Sequence, residues 1–439
     1  MIGKRSMHVV LSRKEESTEA AYRTRNALMA DQKGRETGNH ALQFGLPACI
    51  FAWILLSCFT GCGRTSTEDD PVRMNLLLIT LDTVRADRLG CYGYGKETSP
   101  ALDALAASSI LFERVIAQSA VTPVSHASIL TGLNPYHHGL RSLHGGLNFR
   151  LAEERTTLAE MLAAEGYATA AFVSAFPATR HYGLDQGFST WDQDFKSDDG
   201  AGLLTEEGIV NTDDAQRRGD ATTDRALAWM KAQKESPFFI WVHYFDAHDG
   251  IIRPPAEYGE RFPPRSQARL DDLRANYDAE IAFVDDQVQR LLDGLDAMGV
   301  GQSTVKAVIA DHGQGLGDHN WWGHCILYQE QIRLPFILSI PGREGRRVPG
   351  LARSIDVVPT LLDALERDPS PSLAFDGRSL LEVLEGRAEP ITTAYAESIN
   401  DLSAYSDAPV KDESLYAAFE GTWKLIARRE AGRYKFMEL

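Results

Sequence analysis

Cysteine is scarce in this chain, and nothing in it reads as a set of membrane-spanning helices. Of five cysteines in 439 residues, Cys49, Cys58 and Cys62 fall near the start, so the body of the protein keeps only Cys91 and Cys325. That excludes a disulfide framework and leaves the fold to its hydrophobic core. No internal repeat is visible, which excludes a solenoid. Positive charge is also in deficit: 45 Lys and Arg face 61 Asp and Glu, a net charge of −16. Setting aside the first 61 residues, with eight Lys/Arg against five Asp/Glu, takes the remainder to −19. Such a surface repels phosphate backbones and argues against nucleic acid as a partner. What is present is 44% hydrophobic residues, enough to bury a large core and to exclude a disordered or fibrous chain.

The one prominent apolar run, Leu46 to Thr60, has signal-peptide length and falls short of a spanning helix. It ends in Phe59-Thr60-Gly61-Cys62, which resembles a bacterial lipobox with Cys62 as the lipidated residue, although Phe59 replaces the usual aliphatic side chain. An ordinary secretory signal and a retained anchor are the other readings, and the long charged stretch before Leu46 allows a later start at Met29. The expected organisation is a leader over 1–61, a polar tether over 62–73, a catalytic domain over 74–367 and a small C-terminal subdomain over 368–439 that looks truncated. The leader implies export to the cell envelope, as a periplasmic protein or a membrane-tethered lipoprotein.

Beyond the tether, strand-like runs alternate with helical spacing. Leu76–Leu81, Tyr167–Val173, Phe238–Phe245, Val305–Ala310 and Leu334–Ile340 read as strands. Ser99–Ser109, Ser125–Leu130 closed by Gly132, Thr156–Glu165, Asp220–Lys234, Leu270–Met298 and Asp356–Leu365 read as helices. This alternation predicts an α/β fold with a mostly parallel central sheet flanked by helices. Asp198–Gly219 and Arg253–Ser266 read as polar loops, and Gly421–Arg428 with Arg433–Leu439 as a C-terminal hairpin.

Two of the apolar strands end in ligand-type residues. Leu76–Leu81 runs into Asp82, and Val305–Ala310 runs into Asp311-His312-Gly313. In an open α/β sheet the crevice beyond the carboxyl ends of the strands is where ligands bind. An Asp at such a place is often only a cap or turn former; two of them with a histidine point instead to a metal site.

These segments, with Thr122-Pro-Val-Ser-His126-Ala-Ser-Ile-Leu-Thr-Gly132 and Leu327-Tyr-Gln-Glu330-Gln-Ile-Arg333-Leu-Pro335, resemble the type I sulfatase family of the alkaline phosphatase superfamily over about residues 74–365. The resemblance implies an alkaline-phosphatase-like sandwich with a small, partial antiparallel C-terminal subdomain. In that family the signature Cys or Ser becomes formylglycine, the nucleophile. Here that position is Thr122, the signature arginine is His126 and the proline has moved to Pro123. Threonine cannot become formylglycine, and Thr-nucleophile relatives in the superfamily work mainly on phosphoesters.

A threonine hydroxyl needs a cation to attack at neutral pH, and Thr122 just before a short helix would have helix amides nearby. The implied ligands of one divalent metal are Asp82, Thr122, Asp311 and His312. Family resemblance suggests Ca²⁺, whereas an imidazole ligand favours Mn²⁺ or Zn²⁺. His324 matches the position of a group that contacts the transferred group, with a surface histidine as the alternative. His248, just past a strand in His243-Tyr-Phe-Asp-Ala-His248, is expected as general acid, and His243 as a buried, hydrogen-bonded histidine. His126 could bond the nucleophile or the group it binds, or simply pack. Arg85, Asp87, His138, Arg141 and His319 lie in matching segments with ordinary surface charge as the alternative, and Cys325 reads as a packed small residue.

The expected function is hydrolysis of sulfate or phosphate esters, on a sulfated or phosphorylated small molecule or glycan, through covalent modification of Thr122. One rival is a phosphoglycerol- or phosphoethanolamine-type transferase; another is a non-catalytic sulfatase-like glycan-binding protein.

Overall fold

The strand β1, Asn75–Leu81, is buried at every position, and this explains why its sequence shows no polar alternation: both faces of the sheet are covered. The computed structural model describes residues 73–143, 150–195, 204–205, 208–209, 215–233, 237–248, 253–368, 373–399, 414–430 and 433–436. The leader, all but the last residue of the tether and most of the Asp198–Gly219 loop lie outside these residues. The described residues belong to one compact unit, Asp69–Leu439, and no helix among them is long and apolar enough to cross a membrane.

The other strands of the main sheet are β2 (Ile110–Ile116), β3 (Ala168–Val173), β4 (Thr190–Asp192), β5 (Phe238–Tyr244), β6 (Thr304–Ala310), β7 (Arg333–Ser339) and β8 (Arg346–Arg353). Their spatial order is β8-β2-β7-β6-β1-β5-β3-β4. Every pairing is parallel except those of β7, which runs against both β6 and β2. The fold is therefore α/β with a large, mostly parallel sheet flanked by helices. β2 and β8 escape a reading of the sequence because Glu113-Arg114 interrupts one and the other is an exposed edge with Pro349-Gly350 inside it.

Six helices frame the site and its surroundings: α1 (Pro100–Ala107), α2 (Thr122–Thr131), α3 (Leu158–Ala164), α4 (Gly219–Ala232), α5 (Arg269–Ala297) and α6 (Val357–Ala364). α3 starts with a full capping box, Thr157 accepting from the Glu160 amide and Glu160 accepting from the Thr157 amide. α2 stops at Gly132, whose φ of 70° is the left-handed conformation that glycine adopts without strain. Two expectations need correction. α2 begins at Thr122 itself, with Val121 as the N-cap, because Pro123 in the first turn has no amide to leave unpaired. Within Arg253–Ser266, Ala256–Arg261 forms a short helix, anchored by Tyr258 Oη on Asp286 at 2.6 Å and by buried Phe262 against Ala279 and Ala282.

The C-terminal region forms a separate four-stranded antiparallel sheet, β9 (Thr393–Ile399), β10 (Ser414–Glu420), β11 (Trp423–Glu430) and β12 (Arg433–Phe436), in that order. Alternation in β10, with Leu415, Ala417 and Phe419 inward, turns one face of it to the core. The expected C-terminal hairpin is the last two strands of this sheet as far as Phe436; residues 437–439 lie outside the described ones.

Candidate active site

Register places the first two acidic groups. β1 and β6 are parallel neighbours with Leu81 opposite Ala310, so the next residues along, Asp82 and Asp311, emerge side by side at the carboxyl end of the sheet. Both are buried. Asp311 Oδ1 accepts from the amides of Thr83 at 3.1 Å and His312 at 2.7 Å. On the other side of β1, His243 of β5 accepts from the Ser174 amide at Nδ1 and therefore donates from Nε2 to Asp82 Oδ2, 3.2 Å away. Burial first, and the charge of Arg217 next, push His243 down to about 3, so this histidine is a neutral donor.

Asp82, Asp311 and His312 each offer one ligand-type atom, and these three atoms lie within 4.8 Å of one another. His312 Nδ1 lies 3.0 Å from the Gly313 carbonyl. A carbonyl only accepts, so Nδ1 carries the proton and Nε2 presents a lone pair. That lone pair stands 3.4 Å from Asp311 Oδ2, which is buried and accepts no hydrogen bond. Burial, then the neighbouring Asp82, raises Asp311 well above the usual carboxylate range, and burial drives His312 well below that of imidazole. Two carboxylates and a lone pair converging in a buried site repel one another unless a proton or a cation lies between them. The donors present therefore fit a divalent metal ion. Gly313 is required because a Cβ there would stand 2.1 Å from the Glu330 carbonyl oxygen.

Thr122, the first residue of α2, donates its hydroxyl to His312 Nε2 across 3.1 Å. Ser125, one turn on, donates to the Asp311 carbonyl at 2.6 Å and ties the helix start to the end of β6. His126, for which bonding to the nucleophile or its bound group and simple packing are the alternatives, meets Thr122 at its main chain. It is fully buried, its Nδ1 donates to the Thr122 carbonyl at 2.8 Å, and its Nε2 accepts from the Thr80 hydroxyl at 3.1 Å, which in turn accepts from Trp241 Nε1. Helical i, i+4 spacing aims the ring back at the Thr122 main chain, so His126 is a positioning residue.

A second histidine group adjoins the first. His324 Nδ1 donates to the Ala120 carbonyl at 3.0 Å, leaving Nε2 to accept; His248 donates to it from Nε2 across 3.1 Å. The His324 ring also lies 4.5 Å, centroid to centroid, from His312, and His248 stacks on Phe245 at 4.3 Å. His324 thus lies against both His312 and His248. His248 Nδ1 is buried and has no hydrogen-bond partner, and burial lowers its affinity for a proton.

The loop that carries His324 is held from both sides. Cys325 has φ 78°, a left-handed conformation unusual for a side-chain-bearing residue. Its amide donates to the Ala120 carbonyl at 3.1 Å, and its carbonyl accepts from Ser398 Oγ of β9 at 2.7 Å. The same strand reaches the Thr122 segment through the Glu397 amide on the Gln118 carbonyl. Neither Ser398 nor Thr80 is singled out by any local motif; only the fold brings them here.

The remaining candidates sit elsewhere. Arg85 pairs with Asp87 and Asp318, Arg141 grips Glu397 with two bonds of 2.6 and 2.8 Å, His138 meets the Ser128 hydroxyl, and His319 pairs with Glu330 while stacking on Tyr328. Cys91 and Cys325 are not joined in a disulfide.

Known proteins show what this chain is similar to. The sequence profile described as Sulfatase matches residues 74–366. Human iduronate 2-sulfatase is 25% identical over 472 aligned residues, covering 85% of this chain and 84% of that protein. Among solved structures, the phosphonate monoester hydrolase of Agrobacterium radiobacter superposes with a TM-score of 0.65 at 22% identity, covering 83% of this chain and 89% of that one. A protein solved in complex with its substrate D-glucosamine-2-N,6-O-disulfate gives a TM-score of 0.66 at 19% identity, covering 83% and 91%.

Proposed function

Because this chain belongs to the sulfatase family, and is a hydrolase of that family, we propose that it cleaves a sulfate or phosphate ester with Thr122 as the nucleophile. The observation that carries the reading is the Thr122 hydroxyl at the start of α2, 3.1 Å from His312 Nε2 in the group that also contains Asp82 and Asp311. Asp82, Asp311 and His312 would hold a divalent cation with Thr122 beside them, and the mixed nitrogen and oxygen donors favour Mn²⁺ or Zn²⁺ over Ca²⁺. When bound, that ion would lower the cost of a Thr122 alkoxide and draw charge from the ester oxygens.

The chain's own residues account for the rest. His126 and Ser125 fix the Thr122 main chain, so its oxygen has one orientation for in-line attack. As the Thr122 oxygen bonds to sulfur or phosphorus, the bond to the departing alcohol breaks. The proton that the Thr122 hydroxyl gives up passes to the His248–His324 pair, which delivers it to the leaving oxygen; in the second half the pair takes a proton from the attacking water and returns it to the freed Thr122 oxygen. The substrate class we favour is a sulfated or phosphorylated glycan or small molecule. The relatives above are sulfatases and a phosphonate hydrolase by name or by bound substrate, which does not favour the transferase reading.

We also propose export and tethering through Cys62, supported by the Leu46–Thr60 run and the residues before Cys62, with 74–367 as the catalytic domain and 368–439 as its C-terminal companion. The central test is mass spectrometry of the protein quenched during turnover of a panel of sulfate and phosphate monoesters. A covalent adduct on Thr122, absent from Thr122→Ala, is expected; full activity in Thr122→Ala would eliminate the nucleophile.

A further inference from the structure

In a chain of net charge −16, one cleft of about 330 Å³ gathers Arg85, Arg88, Lys96, Arg265 and Arg274. The carboxylates around it are largely committed. Asp87 and Asp318 pair with Arg85. Asp278, fully buried, serves Arg88, Lys96 and the Tyr94 hydroxyl together. Asp271 accepts from the Ser266 hydroxyl. Arg274 spends its Nε on the Leu316 carbonyl at 3.2 Å, and among the described residues neither Arg274 nor exposed Arg265 has a carboxylate within ion-pair distance. Two guanidinium groups thus stand outside any close ion pair; with Asp271 meeting only a hydroxyl and Asp318 feeling the charge of Arg274, the five cations outnumber the four carboxylates Asp87, Asp271, Asp278 and Asp318 by one.

The cleft is built on the loops of the reaction centre. Arg85 lies three residues beyond Asp82, its Nη1 donates to the Gln314 carbonyl at 3.1 Å, and its Cγ would stand 3.1 Å from a Cβ on Gly313. Asp318 belongs to the segment between His312 and His324. Tyr277 of α5 locks the junction, donating to the Thr83 carbonyl at 2.6 Å and accepting from the Arg85 amide at 2.9 Å. The volume lies within the range of small-ligand sites, and planar guanidinium groups match the oxygens of sulfate, phosphate and carboxylate.

Resting on the proposed function, we infer that this cleft is a subsite for a second anionic group of the substrate, a sulfate or carboxylate on a sugar flanking the one whose ester meets Thr122. Arg274 and Arg265 supply the charge, and Arg85 with Tyr277 forms the rigid wall.

Calorimetric titration of full-length Thr122→Ala protein tests this without turnover. The ligands are a multiply sulfated heparin tetrasaccharide, a monosulfated glucosamine and inorganic sulfate, each with and without Arg274→Ala and, separately, Arg265→Ala on its exposed loop. Expected is a loss of about tenfold in tetrasaccharide affinity per arginine, the scale of a hydrogen bond to a charged group, with monosulfated glucosamine binding within about twofold and a shallower salt dependence. Equal losses for both sugars, or none for the tetrasaccharide, would overturn the subsite. So would an arginine-dependent site for inorganic sulfate that the tetrasaccharide does not use. Arginine-dependent tetrasaccharide binding in a protein that turns over no ester would leave the subsite standing and sink only the catalytic reading.

Discussion

Replacing Asp311 with asparagine should stabilise the metal-free protein while abolishing its response to metal. The acidic oxygens of Asp82 and Asp311 come within 4.8 Å, and at an effective dielectric of about 20 two unit charges that close repel by about 3.5 kcal/mol, the most that Asp311→Asn recovers, reached at a pH high enough to ionise both. Asparagine keeps the oxygen that accepts from the Thr83 and His312 amides and turns a donor towards Asp82, so the repulsion goes while the local bonds stay. For a domain of this size that corresponds to roughly 5 °C in melting temperature. The sign with pH comes from the raised proton affinity of Asp311. Above the ordinary aspartate range of about 4 the folded state keeps a proton that the unfolded state has lost, so stability of the metal-free wild type falls as pH rises. The advantage of Asp311→Asn should therefore grow with pH. Wild type should in turn gain about 2.7 kcal/mol at a hundredfold excess of metal over its dissociation constant, and the variant none. Thermal melts of chelator-treated protein at several pH values, with and without Mn²⁺, Zn²⁺ and Ca²⁺, measure all of this. An Asp311→Asn protein that melts below wild type without metal, yet still shifts upward with it, would refute the reasoning.

The geometry sets three further outcomes. His248→Asn and His324→Asn should slow esters of poorly acidic alcohols by about 10² to 10⁴ and activated aryl esters much less, which a leaving-group series reads directly; a uniform loss would assign the pair to binding. Asp285 caps α1 through the Ala101 and Leu102 amides and is pushed up to about 7 by burial. Its folded form holds a proton between about pH 4 and 7 that the unfolded chain releases, so stability should decline across that window, and Asp285→Asn should flatten the decline in pH-dependent denaturant melts. Ser398→Ala should remove about 1 kcal/mol and loosen Cys325, lowering kcat with little change in KM; a variant altered only in stability would show that β9 merely supports the fold.

Much of this architecture is legible in the residues themselves. Strands such as Leu76–Leu81 and Val305–Ala310, buried on both faces, appear as unbroken apolar runs, and the acidic and imidazole groups at their ends mark a ligand site by residue type and position alone. Helix periodicity and the stop at Gly132 are local properties of the same kind. Tertiary structure alone decided which strands are neighbours, and only the adjacency of β1 and β6 makes Asp82 and Asp311 one site. It also decided among the roles open to His126, making it a strut beneath the Thr122 hydroxyl, paired His248 with His324, and brought Ser398 from the last sheet onto Cys325. Apart from the bond of His126 to Thr122, which helical i, i+4 spacing sets, those contacts join residues tens to hundreds of positions apart, and no local propensity or spacing encodes them; they exist because the folded sheet carries its strand ends to a single edge.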